Sequence, residues 1–140
     1  DVPAFLCNKL ARLLLYKSKA PQNSKVLVQG VTFKENVSDI RNSKVFDLIQ
    51  ELDALGFSVD AIDPFANPKE VELEYGVQLK ESNELKCRYD ALIIAVAHTD
   101  YVNQDRLKIT NFLCDNGVIV DIKGIVKDAQ VLETYTYWRM

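Results

Sequence analysis

The chain has 140 residues, 48% of them hydrophobic, and a formal net charge of −3 at pH 7. This length and apolar content allow one domain with its own core, while the small charge gives no general attraction to nucleic acid or to an acidic membrane surface. No apolar run approaches the roughly 20 residues that span a bilayer, and no signal-peptide pattern opens the chain, so we expect a cytoplasmic protein. The three cysteines, Cys7, Cys87 and Cys114, are far apart and form no Cys-x-x-Cys pair, which indicates neither a disulfide framework nor a zinc site.

The first predicted element is an amphipathic helix from about Pro3 to Lys17, with Asp1 as its cap. Its apolar face is formed by four leucines at helical spacing, Leu6, Leu10, Leu13 and Leu14. A helix that opens the chain without an initiator methionine suggests that further residues precede it. Residues 17–25 are largely polar, which is typical of a linker. We therefore place a domain boundary near residue 24, between a helix with its linker (1–24) and a domain over 25–140.

Beyond the linker, strands and amphipathic helices alternate. The predicted strands cover residues 25–31, 58–62, 77–79, 91–97 and 118–122, and the predicted helices cover 45–55, 68–75 and 103–114. Gly56 offers a stop for the first of these helices, and the Asn116-Gly117 pair predicts a turn. This order is typical of a doubly wound α/β fold, in which a mostly parallel sheet is flanked by helices in a Rossmann-like arrangement, here preceded by an N-terminal helix.

Residues 30–43 join the first strand to the next helix and concentrate charged and polar side chains in one turn region. In an open α/β sheet, ligands bind outside the carboxyl ends of the strands, and a helix N-terminus there favours an anion, so we expect a phosphorylated ligand. The turn has only one glycine, Gly30, whereas the dinucleotide fingerprint needs several. Asp60 and Asp63 lie where a ribose-binding carboxylate would, but without the glycines a turn-forming role is the favoured interpretation.

Two adjacent segments carry a family resemblance: Val-Thr-Phe-Lys-Glu-Asn at 31–36 and Ser-Asp-Ile-Arg-Asn-Ser-Lys-Val at 38–45. They resemble the start of the C-terminal domain of the UDP-glucose/GDP-mannose dehydrogenase family, in the form found in the branch that oxidises UDP-N-acetylhexosamines. Further similar segments follow in the expected order, at 63–64, 95–98, 120–124 and 137–140. The resemblance covers about residues 25–140, and residues 1–17 are similar to the end of the helical region that connects the family's two nucleotide-binding domains.

This resemblance implies a UDP-sugar-binding domain of a larger enzyme. In that family an N-terminal domain binds NAD, a central helical region supplies a nucleophilic cysteine and the dimer contact, and the C-terminal domain holds the UDP part of the substrate. The implied enzyme is a homodimeric, NAD-dependent UDP-N-acetylhexosamine 6-dehydrogenase, which oxidises the C6 alcohol to a uronic acid for surface polysaccharide biosynthesis. NAD is expected to bind the missing N-terminal domain.

No catalytic residue is assigned to this chain. None of the three cysteines matches the glycine-flanked motif of the family's nucleophile. Cys87 lies between Lys86 and Arg88, whose charges would favour a thiolate, but a structural role is the favoured interpretation.

The resemblance carries over three substrate-binding residues, Phe33, Lys34 and Lys123. Phe33 and Lys34 match the family's Phe-Lys pair, and an ammonium group there would balance phosphate charge or bond to sugar oxygens. An exposed, solvated lysine is the competing interpretation. Lys123 stands where many relatives have arginine, so it keeps the charge but loses the bidentate fork.

A second group of candidates, Asp39, Arg41, Asn42 and Ser43, lies further along the same loop. An Asp39–Arg41 pair, with a helix cap from Asn42 or Ser43, would be purely structural, and we weigh it equally with direct ligand contact. The single histidine, His98, has no recognisable partner acid in the sequence, so a polar role at the end of the central strand is favoured over catalysis.

The competing function is a stand-alone regulatory or receiver-like α/β module without dehydrogenase activity. Such a site needs an acidic cluster at the end of an early strand, and the first strand instead runs into Val-Thr-Phe-Lys at 31–34. The aromatic C-terminal segment has only Arg139 as a basic neighbour, so no nucleic-acid partner is expected. No membrane partner is expected either.

Overall fold

A computed structural model describes residues 1–85 and 87–140, which build a five-stranded, all-parallel sheet in the order β2-β1-β3-β4-β5. The strands are β1 (Lys25–Gln29), β2 (Ser58–Ile62), β3 (Tyr89–Ile94), β4 (Leu113–Asp121) and β5 (Thr136–Arg139). The helices are α1 (Val2–Leu15), α2 (Val45–Leu55), α3 (Pro68–Tyr75), α4 (Thr99–Val102), α5 (Arg106–Phe112) and α6 (Ala129–Thr134). The predicted Rossmann-like α/β class is confirmed.

The ends of the first three helices are set by local sequence. The Asp1 carboxylate accepts the Ala4 N–H at 2.9 Å and so caps α1. Gly56 ends α2 in the left-handed region, at φ 108°, which a residue with a side chain rarely adopts. The Asn67 side chain caps α3 by accepting the N–H groups of Lys69 and Glu70.

Three local predictions differ from the structure. Residues 77–79 form no strand: they run beside β2 with one adjacent backbone bond, from Lys80 N–H to Ala61 C=O. The predicted helix over 103–114 is confirmed only as the shorter α5. This helix begins at Arg106, because the Asp105 carboxylate accepts the Lys108 N–H and so caps the N-terminus there. The Asn116-Gly117 pair does not separate two elements: it lies inside β4, where the register with β3 is irregular.

The two faces of the sheet bury different residues because side chains alternate along each strand. On one face, Val26, Val28, Ile93 and Val120 pack with α1, α2 and α3. On the other face, Leu27, Leu92 and Ile119 belong to a second cluster with residues of α4, α5 and α6. Helix α1 thus packs into the same core as the sheet, and the boundary near residue 24 stays a prediction.

The strand order places a crevice at the carboxyl edge of the sheet. After β1 the chain forms β2 on one side of β1 and then β3 on its other side. The connections that follow β1 and β3 therefore run in opposite directions, which leaves the crevice between these two strands. Within residues 1–85 and 87–140, no helix is long and apolar enough to cross a bilayer.

Candidate functional site

The loop between β1 and α2, residues 30–44, begins at a glycine that nothing larger can replace without rearrangement. Gly30 has φ 96°, and a Cβ atom on it would lie 2.6 Å from the Cβ of Val96. The backbone therefore passes directly against the end of β3. This close approach packs the β1–α2 loop against the segment that follows β3.

Polar bonds within the loop fix its path. The Phe33 N–H donates to the Asp39 carbonyl at 2.7 Å, which closes residues 33–39 into a compact turn. The Thr32 hydroxyl donates to the Lys34 carbonyl at 2.9 Å. Asn36 and Asn42 both adopt φ 60°, a conformation that asparagine tolerates better than most residues. The side chains of Phe33 and Lys34 remain exposed.

A cleft of about 310 Å³ lies at the carboxyl edge between this loop, the N-terminal end of α1 and the segments that follow β3, β4 and β5. Five of the seven predicted binding residues line it: Phe33, Lys34, Asn42, Ser43 and Lys123. The remaining wall is mostly apolar and includes Pro3, Leu48, Val96, Ile122 and Met140. The structure therefore brings together predicted binding residues that are up to 90 positions apart in the chain, Phe33 and Lys123.

The cleft is lined by positive charge. Lys34, Lys44 and Lys123 all line it, and no acidic side chain does so in the part of the chain that the structure describes. None of these lysines has an ion-pair partner among residues 1–85 and 87–140. The N-terminus of α2 adds to this potential, because its first N–H groups carry a partial positive charge. Ser43 is buried there, and its hydroxyl accepts the Val45 N–H at 3.4 Å, but the N-cap residue of α2 is Lys44, which makes no side-chain cap bond.

Asp39 and Arg41 lie outside this cleft. The Arg41 guanidinium donates to both carboxylate oxygens of Asp39 at 3.1 Å, and the Arg41 N–H also donates to Asp39. The hydrogen bonds from Arg41 lower the pKa of the Asp39 carboxyl below its usual value. Both residues face a separate groove of about 530 Å³ that also contains Glu70 and Glu74. The structure thus favours the bracing role for this pair, with the Arg41 side chain 85% exposed.

His98 has a partner acid that could not be recognised in the sequence, and the structure corrects this. Asp63, at the end of β2, accepts a hydrogen bond from the imidazole at 2.9 Å, and both side chains are fully buried. Asp63 also accepts the backbone N–H groups of Val31, Thr32, Phe65 and Ala66. The turn-forming role predicted for Asp63 is therefore real but incomplete, since the same carboxylate holds the start of the β1–α2 loop.

The turn that presents Lys123 is held by a buried acid. The Asp121 carboxylate accepts the Val126 N–H at 2.9 Å and the Tyr137 hydroxyl at 2.6 Å. Burial, reinforced by the bond to Asp121, raises the pKa of Tyr137. Gly124 has φ 66° and packs against the guanidinium of Arg139, which brings the end of β5 beside Lys123. Sequence reasoning missed β5.

The cysteines give no candidate nucleophile in this cleft. All three thiols are free, and none lines it. Burial raises the pKa of the Cys7 thiol, which disfavours its reactive thiolate form. The interpretation of Cys87 involved Lys86, which lies outside the described residues. Within the described ranges there is no cluster of three or more His, Cys, Asp or Glu side chains that could hold a metal ion.

Comparison with known proteins identifies a family. A model of the "UDP-glucose/GDP-mannose dehydrogenase family, UDP binding domain" matches residues 27–128. Among curated relatives, "Protein CapL" of Staphylococcus aureus is 33% identical over 140 residues, which are all of this chain and 32% of the relative. The "UDP-N-acetyl-D-glucosamine 6-dehydrogenase" of Salmonella typhi is 33% identical over 126 residues, which are 90% of this chain and 29% of the relative. The chain therefore spans about a third of the length of these relatives.

Solved structures agree on the fold. The NDP-N-acetyl-D-galactosaminuronic acid dehydrogenase of Methanosarcina mazei superposes on 98% of this chain, with a TM-score of 0.83 and 22% identity, and 28% of its own chain is covered. The UDP-N-acetyl-mannosamine dehydrogenase Cap5O of Staphylococcus aureus superposes with a TM-score of 0.70 and 26% identity, over 98% of this chain and 29% of its own. These comparisons give no support to a receiver-like module.

Proposed function

Because the chain belongs to the UDP-glucose/GDP-mannose dehydrogenase family, as its UDP binding domain, we propose that the cleft at the carboxyl edge binds the UDP part of a nucleotide sugar. The observation that carries this proposal is the convergence of Lys34, Lys44 and Lys123 on one cleft without an acidic neighbour among the described residues. A diphosphate brings negative charge that these ammonium groups and the N-terminus of α2 can balance. Phe33, which is 55% exposed, offers an apolar surface to the sugar or the base at the mouth of the cleft.

The binding chemistry follows from the residues that line the cleft. Ammonium groups bind phosphate as point charges, so they hold the diphosphate without fixing one geometry. The apolar wall excludes water from one side of the ligand, which strengthens those charge interactions. The buried hydroxyl of Ser43 and the amide of Asn42 supply directional hydrogen bonds in the same cleft. Asp39 and Arg41 contribute through the shape of the loop.

For the complete protein we propose an NAD-dependent UDP-N-acetylhexosamine 6-dehydrogenase that forms a homodimer and acts in the cytoplasm in surface polysaccharide biosynthesis. The Salmonella relative and Cap5O, which are named as dehydrogenases of UDP-N-acetylhexosamines, support this substrate class. The turn after β1 does not match the NAD fingerprint, because that fingerprint needs several glycines and this turn has none between Gly30 and Lys44. NAD would then bind the N-terminal domain of the complete protein, and no chemical step is assigned to this chain.

Two measurements on the 140-residue chain test this proposal. UDP should raise its melting temperature, whereas a phosphoryl mimic with magnesium should do so only for a receiver-like module. Binding should be weak, because the other domains that complete the site are absent, and should reach saturation only at high micromolar to millimolar UDP. No heat of binding and no thermal shift up to millimolar UDP would reject the proposal. The chain should also form no NADH from NAD and any UDP-sugar, and steady substrate-dependent NADH formation would contradict the assignment of catalysis elsewhere.

A further inference from the structure

His98 lies at the centre of a buried network that joins the segments following three strands. The ring is fully buried and lies four positions after the last residue of β3, immediately before α4. One ring nitrogen, Nε2, lies 2.9 Å from Asp63 Oδ2 at the end of β2, and the other, Nδ1, lies 2.9 Å from the Asn36 nitrogen in the β1–α2 loop. The network therefore connects the β1–α2 loop, which lines the proposed nucleotide site, to the segments that follow β2 and β3.

The surrounding bonds allow only one protonation state of the ring. The Asn36 backbone N–H can only donate, so Nδ1 must be an unprotonated acceptor. The proton then lies on Nε2, which donates to the Asp63 carboxylate. Thr32 Oγ1 lies 3.2 Å from Nε2, and since its own proton goes to the Lys34 carbonyl, it too can only accept there. All three contacts agree on the neutral Nε2–H tautomer.

The same atoms set the position of Lys34. The Lys34 carbonyl accepts the Thr32 hydroxyl, and the N–H of Asn36, two residues later, donates to His98. Both ends of this short segment are therefore fixed. The Asn36 side chain is also tied to Thr99, whose N–H and hydroxyl it contacts at 2.9 and 3.0 Å. A protonated Nδ1 would point a second donor at the Asn36 N–H, so this bond would be lost and the 33–36 segment would have to move.

We propose that His98 is a positioning residue for the cleft. Asp63 holds it as a neutral Nε2–H imidazole, and His98 in turn fixes the Asn36 peptide and, through that peptide, the Phe33–Lys34 segment. Nucleotide-sugar binding therefore requires the unprotonated ring. This inference rests on the proposed function for its binding part only. The tautomer and the coupling of His98 to the loop are properties of the chain without ligand.

Two titratable side chains among the described residues are in contact with the ring. Asp63 is hydrogen-bonded to it from the end of β2. Tyr101, on α4, packs with its ring centroid 5.7 Å away, and burial raises the pKa of its hydroxyl, so it is neutral at any pH used below. Phe65 covers another side of the imidazole at 4.8 Å.

The ligand-free arm of the test uses the fact that His98 is the only histidine of the chain. Long-range ¹H–¹⁵N spectra of the uniformly labelled chain then contain one imidazole, with one protonated and one bare nitrogen. We expect Nε2 to carry the proton, and we expect the amide signals of Lys34 and Asn36 to change at whatever pH the ring signals change. A ring protonated on Nδ1 at neutral pH, or a ring that titrates while both amides stay unchanged, would overturn the proposal whether or not the chain binds UDP.

The binding arm measures the affinity for UDP-N-acetylglucosamine between pH 5 and 8, because its diphosphate diester does not itself titrate there. If the ring signals of the ligand-free chain change within this range, affinity should fall roughly ten-fold together with them, the loss expected for one hydrogen bond. His98→Gln should bind more weakly at pH 8 and should lose this pH dependence. Tyr89→Phe is the control, since it removes another buried hydrogen bond, to Asp60 at 2.6 Å, and should keep the pH profile of the unmodified chain.

The two arms separate the failure of each claim. If the unmodified chain binds no UDP-N-acetylglucosamine at any pH, the proposed function fails, and the amide titration alone decides on the positioning role. If it binds with an affinity that does not change while the imidazole signal titrates, the proposed function stands and the role of His98 is wrong. Should His98→Gln not fold, the pH titration of the unmodified chain still distinguishes these outcomes.

Discussion

The two sides of the β1–α2 loop carry similar side chains and differ in how their charges are satisfied. On the outer side, Asp39 and Arg41 neutralise each other through a bidentate pair, beside a groove that also contains Glu70 and Glu74. On the cleft side, Lys34 and Lys123 line a cleft whose wall is largely apolar, and no acid among the described residues lines that cleft. The outer groove is the larger of the two, at about 530 against 310 Å³.

If the cleft binds the nucleotide as we propose, charge balance, more than volume, separates this site from the outer groove. The acidic groove would repel a diphosphate, whereas the cleft attracts one. A charge already paired within the loop has little left to offer a ligand, while an ammonium group without a partner gains most when an anion arrives. The predictions below test this contrast by changing one side at a time.

The largest effect is expected at Gly30, because the β1–α2 loop begins at this residue and both sides of the loop depend on its position. Gly30→Ala should lower the free energy of unfolding by roughly 2–5 kcal/mol, because the new Cβ meets Val96 and the positive φ is strained. Denaturant unfolding measures this. Gly76→Ala is the matched control: its φ is 68° with no atom within 4 Å, so only about 1 kcal/mol should be lost. Equal losses at both glycines would mean that the contact with Val96 does not constrain the loop.

Lys34→Ala should separate binding from stability. UDP-sugar binding should weaken by roughly 1.5–3 kcal/mol, the usual contribution of a hydrogen bond to a charged group, because the exposed ammonium at the cleft is lost. The free energy of unfolding should change by less than about 1 kcal/mol, since the side chain is solvated. Calorimetry and thermal melting measure the two quantities.

Lys69→Ala is the control for Lys34, because Lys69 is also an exposed lysine but lies on α3, outside the cleft. It should leave both affinity and stability nearly unchanged. An equal loss of affinity in both variants would show that Lys34 acts only through the net charge of the chain. Unchanged affinity in Lys34→Ala would remove Lys34 from the site.

Arg41→Ala tests the outer side of the loop. If Arg41 braces the loop through Asp39, its loss should lower the melting temperature slightly, by less than roughly 3 °C, and weaken UDP binding less than about two-fold. Both changes should occur together, unlike those of Lys34→Ala. A ten-fold or greater loss of affinity with an unchanged melting temperature would instead place Arg41 in contact with the nucleotide.

The smallest effect is the pH dependence of that pair. Since Arg41 lowers the pKa of Asp39 in the folded chain below its ordinary value of 3.8, the pair adds stability above pH 3.8 and loses it as the pH falls through the lower folded value. The stability difference between the unmodified chain and Arg41→Ala should therefore be constant near pH 6 and should shrink in acid. A difference that persists in strong acid would have another cause than this ion pair.

Much of the fold could be predicted from the sequence because local signals coincide with the element ends. Helix α2 ends at Gly56 and helix α3 begins at Pro68, as their turn and cap residues indicate. The errors lie where tertiary contacts override such signals. Asn116-Gly117 is absorbed into β4 because the strand continues pairing on both sides of it, and β5 forms on the neighbouring edge that β4 provides.

The candidate site was predictable residue by residue only in part. The motif indicated the correct loop, but it could not show that Lys34 and Arg41 would face different grooves, since that depends on the left-handed turns at Asn36 and Asn42. The pairing of His98 with Asp63 spans 35 positions and arises only when β2 and β3 lie on either side of β1. Two predicted strands, 91–97 and 58–62, are followed at once by His98 and by Asp63, and this was the signal that could have suggested the pairing.

Amide chemical shift mapping of UDP on the ¹⁵N-labelled chain tests the contrast between the two sides most directly. Our account predicts that UDP shifts the signals of Phe33, Lys34, Ser43 and Lys123, while those of Glu70 and Glu74 in the outer groove stay in place. Shifts concentrated around Glu70, Glu74 and Arg41, with the signals of the cleft unchanged, would contradict it.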